Sequence, residues 1–227
     1  MIRHSDIRTD AEARQWEARL NRERPQRTEV AAWIAARISA NSAGPPRVVE
    51  LACGAGYLAA YFQRQLPDIR YCGFDLSPHL LSHARRRLAD SEPGQGEDVE
   101  MEFYCADLVN DDWTEKVHGL GWMGKVDAVV SIQALHDLGG LEQQAGVLKQ
   151  AHELLRTGGL IAYGDLLQDP DNPHSSRYDA AQHVEMLLAC SYSREGSQSA
   201  DRDESQANSD ESVSARFGDF GCFVGYK

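Results

Sequence analysis

An apolar run that closes on a Gly-x-Gly turn constrains this chain more than any other feature. Residues 48 to 59 read Val-Val-Glu-Leu-Ala-Cys-Gly-Ala-Gly-Tyr-Leu-Ala, with Glu50 fixed four residues ahead of Gly54. A parallel-sheet strand that ends this way lets a ligand approach bare backbone, because Gly54 and Gly56 carry no Cβ. Taken alone, Gly54-Ala55-Gly56 fits an ordinary tight turn as well as a ligand loop. The downstream sequence separates the two. Tyr71-Cys72-Gly73-Phe74-Asp75 is a second short strand that closes on an acid. It follows the glycines by about 20 residues, the distance at which a βαβ unit sets a carboxylate on ribose hydroxyls.

Periodicity extends this pattern along the chain. Trp16, Leu20, Val30, Trp33, Ile34 and Ile38 have helical spacing interrupted at Pro25, which predicts two amphipathic helices before the first strand. After the glycines, Tyr57 to Gln65 continues as helix, and Ser77-Pro78 opens another with Ser77 as N-cap. Further strands are expected around Val99 to Cys105 and over 126 to 132. A helix over Leu141 to Leu155 then stops at Gly158-Gly159 before a fifth strand, Leu160 to Tyr163. A helix over Ala180 to Cys190 and a hairpin of Ser212 to Phe217 with Phe220 to Tyr226 complete the chain. Strands alternating with helices imply right-handed crossovers and an α/β fold, its parallel sheet covered on both faces. Such sheets bind ligands beyond the carboxyl ends of their strands. Glu50, Asp75, Asp107 and Gln133 each fall at or just after one of those ends.

With 227 residues and 42% hydrophobic content the chain suits one α/β domain over residues 1–227. Its parts are N-terminal helices (1–44), a ligand-binding core (45–165) and a C-terminal region (166–227). Within the last, 193–211 contains no large apolar side chain and reads as a solvated acidic loop. The net charge of −12 argues against a nucleic-acid partner, since no basic stripe is present to neutralise phosphates. Arg85-Arg86-Arg87 lies within a helical stretch and reads as a solvated face. The five cysteines are scattered without a Cys-x-x-Cys pair, so no metal site is expected, and Cys53, Cys72 and Cys105 read as core fillers. With no apolar signal core at the start and no apolar run of spanning length, neither membrane nor export is expected, and a reducing cytoplasm is the default.

Five motifs in order resemble those of the class I S-adenosylmethionine (SAM)-dependent methyltransferases, from about Arg47 to the C-terminus. They are Glu50-Leu-Ala-Cys-Gly54-Ala-Gly56, Gly73-Phe-Asp75-Leu-Ser-Pro, Cys105-Ala106-Asp107-Leu108, Val126-Asp127-Ala-Val-Val-Ser-Ile-Gln133-Ala-Leu-His136 and Leu154-Leu155-Arg156-Thr157-Gly158-Gly159-Leu160. The resemblance implies a mostly parallel seven-stranded sheet whose last strand is inserted antiparallel. It also implies SAM as cofactor and methyl transfer to an acceptor, expected here to be a small molecule. Asp75 would then take the ribose hydroxyls, with Leu76 beside it. Gly54 and Gly56 would admit the methionine portion, and Glu50 would hold its amino group. Asp107 and Leu108 would meet the adenine, and Gln133 would line the pocket. His136, with an ordinary pKa near 6.5, is the candidate general base. Two other readings remain open. Gly54-x-Gly56-x-x-Ala59 with Asp75 also suits an NAD(P)-dependent oxidoreductase, although no Tyr-x-x-x-Lys pair is present. A non-catalytic SAM-binding partner protein would carry the same glycines and acids.

Overall fold

The computed structural model describes residues 6–66, 68–90, 100–169, 177–194 and 215–227. Helices α1 (Asp10–Glu23) and α2 (Arg27–Asn41) come first. There follow β1 (Arg47–Leu51), α3 (Tyr57–Gln65), β2 (Arg70–Asp75), α4 (Pro78–Ala89), β3 (Glu100–Cys105), α5 (Thr114–Gly119), β4 (Val126–Ile132), α6 (Leu141–Leu154), β5 (Leu155–Leu166), α7 (Ala180–Ala189), β6 (Ala215–Phe217) and β7 (Phe220–Tyr226). The strands form one seven-stranded sheet in the order β3-β2-β1-β4-β5-β7-β6. β1 to β5 are parallel, and β7 runs antiparallel between β5 and β6. This is the α/β architecture expected from the motifs. The chain winds outward from β1 through β2 and β3, then returns to the other side of β1 as β4. The strand order therefore switches between β1 and β4, where the loops beyond the strand ends diverge and leave a crevice.

Local sequence explains the helix starts. Thr9 and Glu12 form a reciprocal capping box at α1, as do Asp179 and Gln182 at α7. The Ser77 hydroxyl accepts from Leu80 N at 3.3 Å, with Pro78 in the first turn of α4. The strands then sort their side chains by pleat. Val48, Tyr71, Val130 and Ala162 pack with α2, α3 and α4 on one face, and Val49, Cys72, Val129 and Ile161 pack with α5, α6 and α7 on the other. Burial on both faces is why β1 and β4 read as continuous apolar runs.

The structure departs from the sequence reading at several points. α5 was not expected, because the short stretch Thr114–Gly119 has one fully apolar anchor, Val117, beside the buried Trp113. β5 begins at Leu155, directly where α6 ends, so Gly158-Gly159 lies inside the strand and does not precede it. A Cβ on Gly159 would sit 2.9 Å from Arg156 O and 3.0 Å from Val126 O, which explains the glycine. Cys105 is exposed and is no core filler. Nor is Arg85-Arg86-Arg87 a bare solvated face: Arg86 and Arg87 pair with Asp10 and Glu17 of α1, and Arg85 donates to Phe103 O. Together with His83 Nδ1, 2.8 Å from Asp10 Oδ1, these pairs fasten α1 to α4. Residues 195–211 of the expected acidic loop and 212–214 of the expected hairpin lie outside the described residues. Among the described residues, no helix is long and apolar enough to cross a membrane.

Candidate functional site

Glu50 is the penultimate residue of β1 and is buried, where it accepts a 2.5 Å hydrogen bond from the Tyr71 hydroxyl at Oε2. Burial pushes its carboxyl up to about 8, with the Tyr71 hydrogen bond and Arg27 opposing and Asp75 adding to the shift. Beyond it the backbone is left-handed at Ala52 (φ 52), Gly54 (φ 53) and Gly56 (φ 72). The loop is stitched to β2 by Cys53 N donating to Phe74 O at 2.8 Å and Gly54 N donating to Asp75 Oδ2 at 2.8 Å. Asp75 Oδ1 also accepts from Ser77 N at 2.8 Å, so one carboxylate ties the turns after β1 and β2 together. Leu76 beside it is 61% exposed, an apolar side chain left bare just after β2.

Gly56 answers two constraints at once. Its φ is one that L side chains adopt with strain, and an added Cβ would lie 2.8 Å from the Ala84 Cβ on α4. We expect Gly56→Ala to cost about 2–4 kcal/mol, combining left-handed strain with overpacking. Urea unfolding measures it, and an unchanged midpoint would mean that the loop and α4 relax without cost.

Sequence reasoning missed Arg27. On α2 the residues facing the core include Arg27, Val30, Ala31, Ile34 and Ile38, so a guanidinium occupies an otherwise apolar stripe. That placement of a charge at helical spacing was the available signal. Arg27 is 6% exposed and lies 4.2 Å over the Tyr57 ring, where α3 leaves the glycine loop. Nη1 donates to Asn21 Oδ1 at 3.0 Å, while Nε is shielded from solvent and has no hydrogen-bond partner among the described residues. Among the described residues no carboxylate lies within ion-pair distance of it. Burial lowers its pKa, opposed by Tyr57, Glu17 and Glu50. A buried cation and a buried acid thus flank the Gly54–Gly56 loop, and neither forms an ion pair.

After β3, Asp107 is held mainly by its own turn. Its Oδ1 accepts from Val109 N at 2.9 Å and Asn110 N at 3.2 Å, and Oδ2 accepts from Asn110 Nδ2 at 2.9 Å. These bonds keep its carboxyl below the usual range, the Asn110 amide contributing most. The residue shapes an Asx-turn that presents the 106–108 backbone, and Leu108 is buried in the core beneath.

At the end of β4, Gln133 has φ 56, and its Oε1 is shielded and has no hydrogen-bond partner among the described residues. Strained backbone clusters at ligand sites, and a buried unsatisfied oxygen calls for a partner that the described residues do not supply. His136 follows in a 3₁₀ turn, Leu135–Asp137. Its backbone N donates to Asp165 Oδ2 at 2.9 Å, and its Nδ1 lies 2.6 Å from Asp165 Oδ1. Burial alone would pull His136 down, but the charge and hydrogen bond of Asp165 lift it above the ordinary histidine value. Asp165, itself buried, stays below the usual carboxylate range because His136 outweighs its desolvation. Asp165 too escaped the sequence reading, although an acid within the apolar run Leu160 to Leu166 was the visible signal. Behind the pair, burial keeps His183 below the ordinary histidine value, and its ring stacks on Phe223 at 4.6 Å.

Four sequence-predicted strand-end positions, Glu50, Asp75, Asp107 and Gln133, therefore lie along one edge on neighbouring strands, with His136 at the β4–β5 end of it. Among the described residues, no group of three or more His, Cys, Asp or Glu is placed to hold a metal ion.

A family model for a methyltransferase domain matches residues 49–161. The malonyl-[acyl-carrier protein] O-methyltransferase of Magnetococcus marinus is 31% identical over 122 residues, covering 53% of this chain and 38% of the relative. The trans-aconitate 2-methyltransferase of Methylobacterium radiotolerans is 30% identical over 148 residues, covering 65% of this chain and 46% of the relative. The chain thus spans less than half the length of these curated relatives. Among solved structures, a chain from the complex between the Haloferax volcanii Trm112 methyltransferase activator and a methyltransferase superposes with a TM-score of 0.59 at 18% identity, covering 96% of this chain and 97% of that one. Apo SibL, an S-adenosylmethionine-dependent methyltransferase, gives a TM-score of 0.56 at 17% identity over 81% of this chain and 50% of that one. At these identities the likeness is one of fold.

Proposed function

Since the chain belongs to the class I SAM-dependent methyltransferases, we propose that it binds SAM across the β1–β4 crevice and transfers the methyl group to a small carboxylic acid. The observation that carries the donor half is the buried guanidinium and the buried carboxyl at the glycine loop, neither of them in an ion pair among the described residues. Glu50 and Arg27 match the ammonium and carboxylate of an amino-acid end, and each gains there the counter-charge it lacks. Asp75 is acceptor-only when ionised and suits the ribose hydroxyls. Leu76 and the 106–108 backbone would meet the adenine, with Asp107 shaping the turn, and Gln133 Oε1 would line the pocket. When bound, SAM supplies a methyl group on a sulfonium cation, a leaving group already activated. An NAD(P) pyrophosphate offers no ammonium to ionise the buried Glu50, which disfavours the oxidoreductase reading. Within one domain over 1–227, the 45–165 core would hold the donor.

For the acceptor, support comes from His136 and from relatives whose names specify malonyl and trans-aconitate groups. An imidazolium donates from both ring nitrogens. His136 gives Nδ1–H to Asp165 and would give Nε2–H to an acceptor carboxylate. A carboxylate is already a nucleophile, so rate would come from alignment and need no proton transfer.

The pH dependence separates this from base catalysis. His136 is charged below its raised pKa and neutral above it, so acceptor KM should climb as pH rises through that value while kcat holds. His136→Asn should keep most of kcat, and Asp165→Asn should move the KM transition to lower pH. Mass spectrometry with isotopically labelled SAM and a panel of small carboxylic acids reads the transfer. A kcat that rises with pH and falls about 10²–10⁴-fold in His136→Asn would establish a base role. SAM binding without transfer to any acceptor would favour a non-catalytic partner protein.

A further inference from the structure

At the opposite edge of the sheet, where the parallel strands begin, a groove of about 710 Å³ is lined by the 40–45 segment with Arg47, Arg70, Asp127 and Arg156. Arg47 opens β1 and Arg70 opens β2, and the two are direct register partners. Residues paired in this way project to the same side of neighbouring strands about 4.8 Å apart, and like charges so placed repel. Arg156 is committed to structure, since Nε donates to Asp127 Oδ1 at 2.7 Å and Nη2 to Asn41 O at 2.6 Å. Asp127 is committed as well, accepting Arg47 N at Oδ2 at 2.9 Å. Among the described residues Arg70 makes a loose ion-pair contact with Glu100, at 3.9 Å. Arg47 Nε and Ser42 Oγ, on residues that line the groove, are shielded from solvent and have no hydrogen-bond partner among the described residues. Buried donors of this kind normally find a partner.

We propose that this groove is a second ligand site, specific for a phosphate or a small phosphate monoester. A tetrahedral dianion between Arg47 and Arg70 would relieve their repulsion by accepting from the two guanidinium forks. Guanidinium forks suit phosphate oxygens in geometry and in charge. The chain carries a net charge of −12, so a convergence of three arginines and one aspartate stands out against its surroundings. The volume lies within the range of small-molecule sites.

The test is a calorimetric titration with inorganic phosphate and, separately, glycerol phosphate, at matched ionic strength. Saturable binding is expected, weakened about tenfold or more in Arg47→Gln and in Arg70→Gln. Arg14→Gln, which changes an exposed arginine on α1, should leave it unchanged. Arg70 is exposed, so its variant keeps the test available should Arg47→Gln lose stability. SAM affinity should stay within about twofold in both, because the site lies at the far end of β1. Tighter binding of the monoester would assign the groove to a phosphorylated metabolite, and equal binding to the free ion. Non-saturable heats, or the same affinity in both arginine variants as in the parent chain, would overturn the site.

Discussion

Removal of Phe220–Lys227 is expected to yield a chain with no cooperative thermal transition. β7 pairs with β5 on one side, from Leu160↔Tyr226 to Leu166↔Phe220, and with β6 on the other. It supplies Phe220 and Cys222 to one core and Phe223 to the other, all three buried. The terminal residue also closes the start of β5, with Gly158 N donating to Lys227 O at 2.7 Å and Lys227 N to Gly159 O at 2.9 Å. Burying each phenylalanine is worth about 1.5–3 kcal/mol, and exposing the β5 edge strands buried backbone groups. Against a total stability of about 5–15 kcal/mol, losing all of this at once leaves no folded state. Phe223→Ala isolates the packing part and should cost about 3–5 kcal/mol. Circular dichroism through a thermal ramp decides the matter. A sharp transition within a few degrees of the full chain would show that the sheet closes without its seventh strand.

The second large effect is expected at the amino-acid end of the donor site. Arg27→Leu keeps the apolar stripe of α2 continuous while removing the guanidinium. SAM affinity should then fall by about 10–150-fold, or roughly 1.5–3 kcal/mol for a lost charge-assisted bond. The unliganded protein should be as stable as before or more so, since a desolvated cation without an ion-pair partner has been replaced by a side chain that fits its surroundings. Glu50 adds a proton signature. Its folded-state carboxyl, raised to about 8, lies above its ordinary value of 4.5. Its contribution to the stability of the unliganded fold is therefore complete below about pH 4.5 and is lost as pH rises through about 8. An ammonium group placed beside Glu50 favours the ionised form, so SAM uptake below pH 8 should release a proton and tighten as pH rises toward that value. Calorimetry in buffers of different ionisation enthalpy reads the proton directly. Unchanged SAM affinity in Arg27→Leu together with no proton release would place the amino-acid end elsewhere.

Much of this molecule was written in local order along the chain. Helix–strand alternation, Ser77-Pro78 at the start of α4, and apolar runs ending at Glu50, Asp75 and Gln133 all arise from short-range constraints. Caps, turns and two-sided burial leave periodic marks that a single sequence carries. They suffice to place four strand-end positions along one edge. What they could not convey is which side chains lie next to each other after folding. Arg27 and Glu50 belong to elements separated by a helix end and a loop, and they come together at the glycine loop only once α2 packs on α3. His136 acquires its raised pKa from Asp165, 29 residues away. The arginines at the far edge meet only because β1, β2 and β5 begin in the same plane. Asp107 shows the converse, with a residue type that suited adenine spending its oxygens on its own turn. A carboxylate or guanidinium has no fixed chemistry of its own, since burial and neighbouring charge set its proton affinity and its need for a partner, and those are properties of three-dimensional packing.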